Sequence, residues 1–312
     1  MKTKHIIAIT SAILSLMVLP VTAQTIYFQD NFASDSSGNY TEFEAAETTI
    51  ENNTFYGYDY TADTDSVGAT IPSAPRTTDA SKKALKTEIN MSVSSINVVC
   101  LYPNITPITG DHRLVVDVFY RYVTTGLGTE NFGIGLLHSG SKVLCEDYIQ
   151  GTGSVPASTD GYFHSHAPDA GWATRDCAFY EGIDTGNSVD QHLLADGDFS
   201  WPGDIAGQPE DSTISTETTF FEALTPTAAA SWVDNWATWE IRIQNGVVRV
   251  TIDNQLVCTY NDPDDTFASG IPSLHHEDAF ASTCDSFMLF DNLLIEEIPL
   301  PLAADGTWIL YE

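Results

Sequence analysis

Apolar and polar residues alternate with a period of two along much of this chain, and no long stretch carries the 3.6-residue rhythm of a helix. From His112 to Tyr122, Leu114, Val116, Val118, Tyr120 and Tyr122 point one way, while Asp117 and Arg121 point the other. That is the pattern of a strand with one buried face. Trp239, Ile241 and Ile243 repeat it, and Asn245-Gly246 follows, a pair that tolerates the positive φ of a tight hairpin. Val248, Val250 and Ile252 return, Asp253-Asn254 turns the chain again, and Leu256-Val257-Cys258 completes a three-stranded antiparallel meander. Further strands are expected at 25–29, 54–60, 85–91, 96–102, 131–138, 162–166 and 178–181. Residues 287–295 are apolar on both sides apart from Asp291 and Asn292, as in a central strand covered twice. Many short strands with turn signals between them predict an all-β chain, an antiparallel sandwich or barrel.

Two regions break the rhythm. Residues 183–235 are rich in Gly, Asp, Thr, Pro and Ser and are expected to form a long irregular insertion, with one short helix over 227–236. The first 23 residues combine Lys2 and Lys4, an apolar run and the small-residue site Val21-Thr22-Ala23. That is the order of a secretory signal. The expected organisation is a signal peptide over 1–23, a sandwich domain over 24–297 and a C-terminal tail over 298–312. After signal cleavage no apolar run long enough to span a bilayer remains.

Charge narrows the partners. With 12 basic and 43 acidic residues the formal net charge is −31, which repels nucleic acid and anionic membranes. A hydrophobic content of 43% argues against disorder. The five cysteines follow the signal segment, so an oxidising compartment is expected to pair some and leave at least one over. Cys258 with Cys284 is the expected bridge, both lying near the ends of C-terminal strands. Their wide spacing excludes close-paired zinc motifs.

Several segments, taken in order, resemble a concanavalin A-like, laminin-G-like jelly roll of the kind exported by environmental bacteria. They are Phe28-Gln-Asp-Asn-Phe32, Gly57-Tyr-Asp-Tyr60, Ile71-Pro-Ser-Ala-Pro75, Gly110-Asp-His-Arg-Leu114, the Trp236–Ile243 strand and the closing Phe290-Asp-Asn-Leu-Leu-Ile295. The resemblance covers roughly residues 25–297. It implies an antiparallel β-sandwich whose first and last strands lie side by side, often near a structural calcium, with Asp30 and Asp291 at the matching positions. Calcium would suit carboxylate oxygens brought together from distant parts of the chain. The glucanase branch of that superfamily carries Glu-x-Asp-x-x-Glu on one strand, two carboxyls on one face acting as nucleophile and acid. No such string occurs here.

Other constellations were weighed on their chemistry. Tyr162, His164 and His166 would share one face of a strand, with Trp172 and Arg175 following; this reads as a sugar-binding strip, as two ligands of a metal lacking a third, or as a half-exposed strand with solvated histidines. Trp201, in the long insertion, would offer a ring as a ligand platform. His275-His276-Glu277-Asp278 resembles a metal motif but lacks the His-x-x-x-His spacing, so a solvated loop is expected. Asp63-Thr-Asp65-Ser-Val-Gly68 imitates the start of a calcium loop, yet Ala74 stands where the closing Glu belongs. Neither a phosphate loop nor a Gly-x-Ser-x-Gly elbow is present.

The expectation is therefore a secreted, non-catalytic protein of concanavalin A-like fold that binds extracellular glycan or mediates adhesion. The alternatives are a polysaccharide hydrolase or lyase with carboxyls from separate strands, and a structural surface or matrix protein.

Overall fold

The computed structural model describes residues 24–46, 48–78, 82–93, 95–121, 130–141, 160–166, 177–184, 189–193, 199–200, 234–261, 267–278, 283 and 285–298. In chain order the described residues form β1 (Ile26–Asp30), β2 (Tyr40–Ala46), β3 (Asn52–Asp59), β4 (Lys83–Ile89), β5 (Asn97–Pro103), β6 (Ile108–Thr109), β7 (His112–Arg121), β8 (Glu130–His138) and β9 (Gly161–His166). They continue with β10 (Cys177–Asp184), β11 (Val189–Leu193), β12 (Phe199–Ser200), β13 (Trp236–Gln244), β14 (Val247–Ile252), β15 (Gln255–Asn261), β16 (Ser269–Asp278) and β17 (Phe287–Glu297).

Two antiparallel sheets result. The nine-stranded sheet runs β12-β15-β14-β13-β7-β17-β4-β3, with β1 also on β17. The eight-stranded sheet runs β11-β10-β9-β8-β16-β5-β2, with β6 on β16. Leu114, Val116, Val118, Tyr120, Trp239, Ile241, Val248, Val250, Met288 and Phe290 from the first sheet form one core with Val99, Leu101, Phe132, Ile134, Tyr162 and Leu274 from the second. Trp239 lies fully buried at its centre, its ring edge-on to Phe132 across the layers at 5.0 Å. This is the antiparallel two-sheet sandwich that the alternation predicts, and β1 lies against β17 as the resemblance implies.

The meander forms as expected: Asn245 and Gly246 take φ of 52° and 73°, and Asp253 and Asn254 take 48° and 65°. β17 is indeed covered twice, with Met288, Phe290 and Ile295 in the inter-sheet core and Phe287 and Leu289 in a second cluster with Tyr60, Ile71, Ala84 and Phe119.

Four expectations are corrected. His275–Asp278 are not a solvated loop: they end β16, flanked by β8 and β5, and all four are buried. The 183–235 region is not wholly irregular, since β11 and β12 extend the sheet margins there. Trp236 does not sit on a helix but opens β13, donating its ring N–H to Pro72 O at 2.8 Å and packing against Tyr60 and Phe119. Cys258 is a free buried thiol in the core, so its expected bridge to Cys284 is absent; burial pushes that thiol well above its ordinary value. The signal segment, the tail beyond Ile298, Trp172, Arg175, Trp201 and Cys284 lie outside the described residues.

Candidate functional site

β17 changes neighbours along one edge. Met288, Leu289 and Phe290 pair with β4, whereas Leu293 to Glu296 pair with β1. Between them the register slips at Asp291–Asn292, and Asn292 adopts a φ of 53°. This is a β-bulge, which lets Phe290 and Leu293 both face the core despite their odd separation. Asn tolerates the left-handed conformation better than most side chains, which gives the closing Phe-Asp-Asn segment its physical meaning.

The segment after Ile71 enters this junction. Arg76 Nε donates to Asp117 Oδ1 at 2.8 Å, its backbone N–H donates to Asp117 Oδ2 at 3.2 Å, and an Nη group donates to Asn292 O. Thr238 Oγ1 donates to Asp117 Oδ1 at 2.7 Å and Asn292 Nδ2 to Asp117 Oδ2 at 2.9 Å. Asp117 is fully buried, and four donors from three segments satisfy it. A buried charge is tolerable when paired and bonded in this way.

Beside the clamp opens a cleft of about 430 Å³, lined by Gln29, Asp30, Asn31, Arg76, Asn292, Leu293 and Leu294. Gln29 and Asn31 are exposed, and Arg76 is held from behind by Asp117. The cleft thus presents amide, carboxylate and guanidinium groups together, able both to donate and to accept.

Asp30 lies in this lining, and its oxygens accept from Phe32 N (2.8 Å) and Tyr40 Oη (3.1 Å). Asp291 faces the clamp instead, accepting from Thr77 Oγ1 and Asn292 N, both at 2.7 Å. The two are close in register, Asp30 pairing with Leu293, but each carboxylate is already occupied by protein donors. Among the described residues no group of three His, Cys, Asp or Glu side chains could hold a metal ion. As they stand, the two carboxylates face different partners, Asp30 the cleft and Asp291 the clamp.

Tyr162, His164 and His166 do share one face of β9, as alternation predicts. That face is the interior: Tyr162 packs on Phe179 and Tyr260, and His164 and His166 stand 5.6 and 5.7 Å from the Trp239 ring. All three are buried, so they form part of the inter-sheet packing and offer no surface strip. His276 is inward too, its Nδ1 bonded to Thr87 Oγ1 of the opposite sheet at 2.7 Å. Burial, with the neighbouring His275, pushes its imidazole down to about 3, so it is neutral at pH 7.

The other face of the same strands was not legible in the sequence. It carries Asn131 and His138 from β8, Ser165 and Phe163 from β9, and Ser273, His275 and Glu277 from β16. All are buried. His275 Nε2 lies 3.3 Å from Glu277 Oε2, and the His275 ring lies 4.9 Å from that of Phe163.

No family model matches the chain, and no curated protein matches it. Solved structures similar to it include the carbohydrate recognition domain of Emp47p, at 7% identity over 88% of this chain and 96% of that one, with a TM-score of 0.43. Another is a protein of unknown function with a galectin-like fold from Bacillus subtilis, at 10% identity over 88% and 98%, TM-score 0.43. A third is a glycoside hydrolase family 16 endo-glucanase from Bacteroides ovatus, at 9% identity over 86% and 100%, TM-score 0.39.

Proposed function

We propose that this chain is an extracellular, non-catalytic protein that binds glycan, in a free or an adhesive role. The observation that carries this reading is the open polar cleft at the β1–β17 junction. Sugars present closely spaced hydroxyls that both donate and accept, and planar amide, carboxylate and guanidinium groups answer them in pairs. Gln29, Asp30, Asn31 and Arg76 supply those groups on a backbone fixed by the Asp117 clamp. Leu294, half-buried and paired in register with Gln29, adds apolar surface that a pyranose face can cover. The strong negative charge of the chain favours neutral over anionic glycans.

The test is a broad glycan array probed with purified protein, with calcium and with chelator, alongside Gln29→Ala and Asn31→Ala. Both substitutions lie at exposed positions, so the fold should survive. Binding to a neutral glycan that weakens about tenfold in either variant, roughly 1.4 kcal/mol, supports the cleft. Loss on chelation alone would move the site to a cation elsewhere in the chain. Silence across the array would overturn the reading and favour a structural surface role.

A further inference from the structure

The cleft at the β1–β17 junction carries its charges unevenly. At one end the Arg76 guanidinium is held by the Asp117 carboxylate at 2.8 Å, and Asp291 lies in the same clamp, bonded to Thr77 Oγ1 and Asn292 N. The positive charge at that end is already compensated. At the other end stands Asp30, half-buried in the cleft wall. Its two hydrogen bonds come from neutral donors, Phe32 N at 2.8 Å and Tyr40 Oη at 3.1 Å. Among the described residues no Lys, Arg or His forms an ion pair with it.

The surroundings deepen the deficit. Burial pushes the Tyr40 and Tyr56 phenols well above their ordinary values, and nearby carboxylates push them further. Asp30 acts in this way on Tyr40, and Glu42, Asp30 and Asp35 all act on Tyr56. Glu42 and Asp35 are themselves met by neutral donors, Tyr56 Oη at 2.8 Å and Ser37 N at 3.0 Å. The cation on β4, Lys83, gives its ammonium to Ala33 O at 3.0 Å and acts on Asp59.

Asp30 also keeps room for a further partner. A carboxylate offers about four lone-pair sites, and its two protein donors leave some of them open. A sugar hydroxyl would fill such a site and leave the charge uncompensated. An ammonium would do both, through a charge-assisted hydrogen bond that is roughly twice as strong as a neutral one. The formal net charge of −31 draws the same kind of ligand toward the whole chain.

Resting on the glycan reading of the cleft, we propose that the sugar it takes is a hexosamine with a free amine. The ammonium donates to Asp30, away from Arg76, while the hydroxyls meet Gln29, Asn31 and the exposed part of the guanidinium. An N-acetylated sugar brings a neutral amide to Asp30 and forfeits the charge. A sugar acid brings a second negative charge and is repelled.

Three β-1,4-linked tetrasaccharides separate these chemistries: those of glucosamine, N-acetylglucosamine and glucose, with an amine, an acetamide or a hydroxyl at one position. Their affinities for the full protein are read by titration calorimetry at about pH 6 in low salt. The glucosamine tetramer should bind about fivefold tighter than the glucose tetramer, the upper range for a partly exposed ion pair. That preference should shrink in ~0.5 M sodium chloride and vanish near about pH 9, where an amine of this kind is neutral. Asp30→Asn, which keeps an acceptor for Phe32 N, should bring the ratio to within about twofold of one. Glu297→Gln removes an equal charge at an exposed position outside the cleft lining and should leave the ratio intact. The two variants distinguish the cleft from a general attraction between a polycation and an acidic chain. A preference that persists in Asp30→Asn or near pH 9 overturns the proposal, and so does a wild-type ratio near one. In the last case, binding of the glucose tetramer that weakens in Gln29→Ala leaves the glycan reading standing. Silence with all three tetramers overturns the amine, and the array then decides the glycan reading by itself.

Discussion

The outer faces of the two sheets solve the same problem in opposite ways. Both bury polar side chains away from the inter-sheet core. On the nine-stranded sheet, Asp117 receives four hydrogen bonds and every member of the Arg76–Asp117–Asn292–Thr77 chain is paired. On the eight-stranded sheet, His138, Ser165, Ser273 and Asn131 are just as buried but leave polar atoms without partners among the described residues. A completed network behaves as a fastening, and an incomplete one carries the cost of its unmet groups. Burial alone does not separate the two; the state of the hydrogen bonds does.

The sharpest way to break the comparison is to remove the acceptor on the completed side. Asp117→Ala leaves Arg76, Thr238 and Asn292 without their shared partner, and the expected loss is about 3 kcal/mol, read as a fall in the urea midpoint. Because Arg76 is partly exposed, its charge can recover some hydration, which keeps the figure at the low end. A loss under about 0.5 kcal/mol would mean the fastening is ornamental.

Acid should act through buried histidines on both sheets, His112 on β7 and His276 on β16, each held below its ordinary value chiefly by burial. His276 has a folded value near 3 against an ordinary 6.5, so its contribution is complete above about pH 6.5 and falls away as pH drops through that window. Burial works to raise Asp160, but its hydrogen bonds to His138 and Ser139 outweigh it and hold the carboxyl at about 2. Its contribution is present above 3.8 and disappears as pH falls toward 2. Stability should decline by up to roughly 1.4 kcal/mol per pH unit below 6.5. Urea midpoints at pH 7, 5.5 and 4.5 would show this, with a flatter profile in His276→Gln. Equal midpoints at all three would remove His276 as the acid-sensitive point.

The smallest effect is a matter of fit. Gly135→Ala places a methyl group against His138 Nε2 and Ser273 Oγ, with an expected cost of about 1–2 kcal/mol. In a His138→Ala background that cost should shrink by at least half, because the methyl then has somewhere to go. Additive losses would place the strain in the backbone instead.

The reasons some of this was readable and some was not lie in particular strands. β13 and β14 alternate cleanly because one face meets the core and the other carries mostly Thr, Glu, Arg or Gln, while β7 shows its core face plainly but buries Val115 and Phe119 on the other. β2 does not show in the sequence because Glu42 and Glu44 interrupt its apolar positions on a sheet margin. The end of β16 reads as a loop because Pro272, Ser273, His275, His276, Glu277 and Asp278 offer no apolar period. It is buried by its neighbours, a property that a pattern of its own residues cannot show. For β9, periodicity correctly grouped Tyr162, His164 and His166 on one face, but parity does not say which face is inside when both carry rings and polar groups. The cleft was half visible. Asp30 stood out by resemblance, whereas Arg76 reaches it from an irregular segment whose destination depends on Asp117, 41 residues away.

The pairing of β1 with β17 has a mechanical consequence. Ile26 sits opposite Glu296, so the two strands that open and close the sandwich run antiparallel with their outer ends together. Tension applied through the chain on either side would pull at that one corner. It would load the rungs between these strands one after another, from Ile26 toward Asp30, and not all at once. The protein should therefore peel at low force from this corner, as a zipper opens, and the peeling would reach Asp30 and take one wall from the cleft before the meander felt any strain.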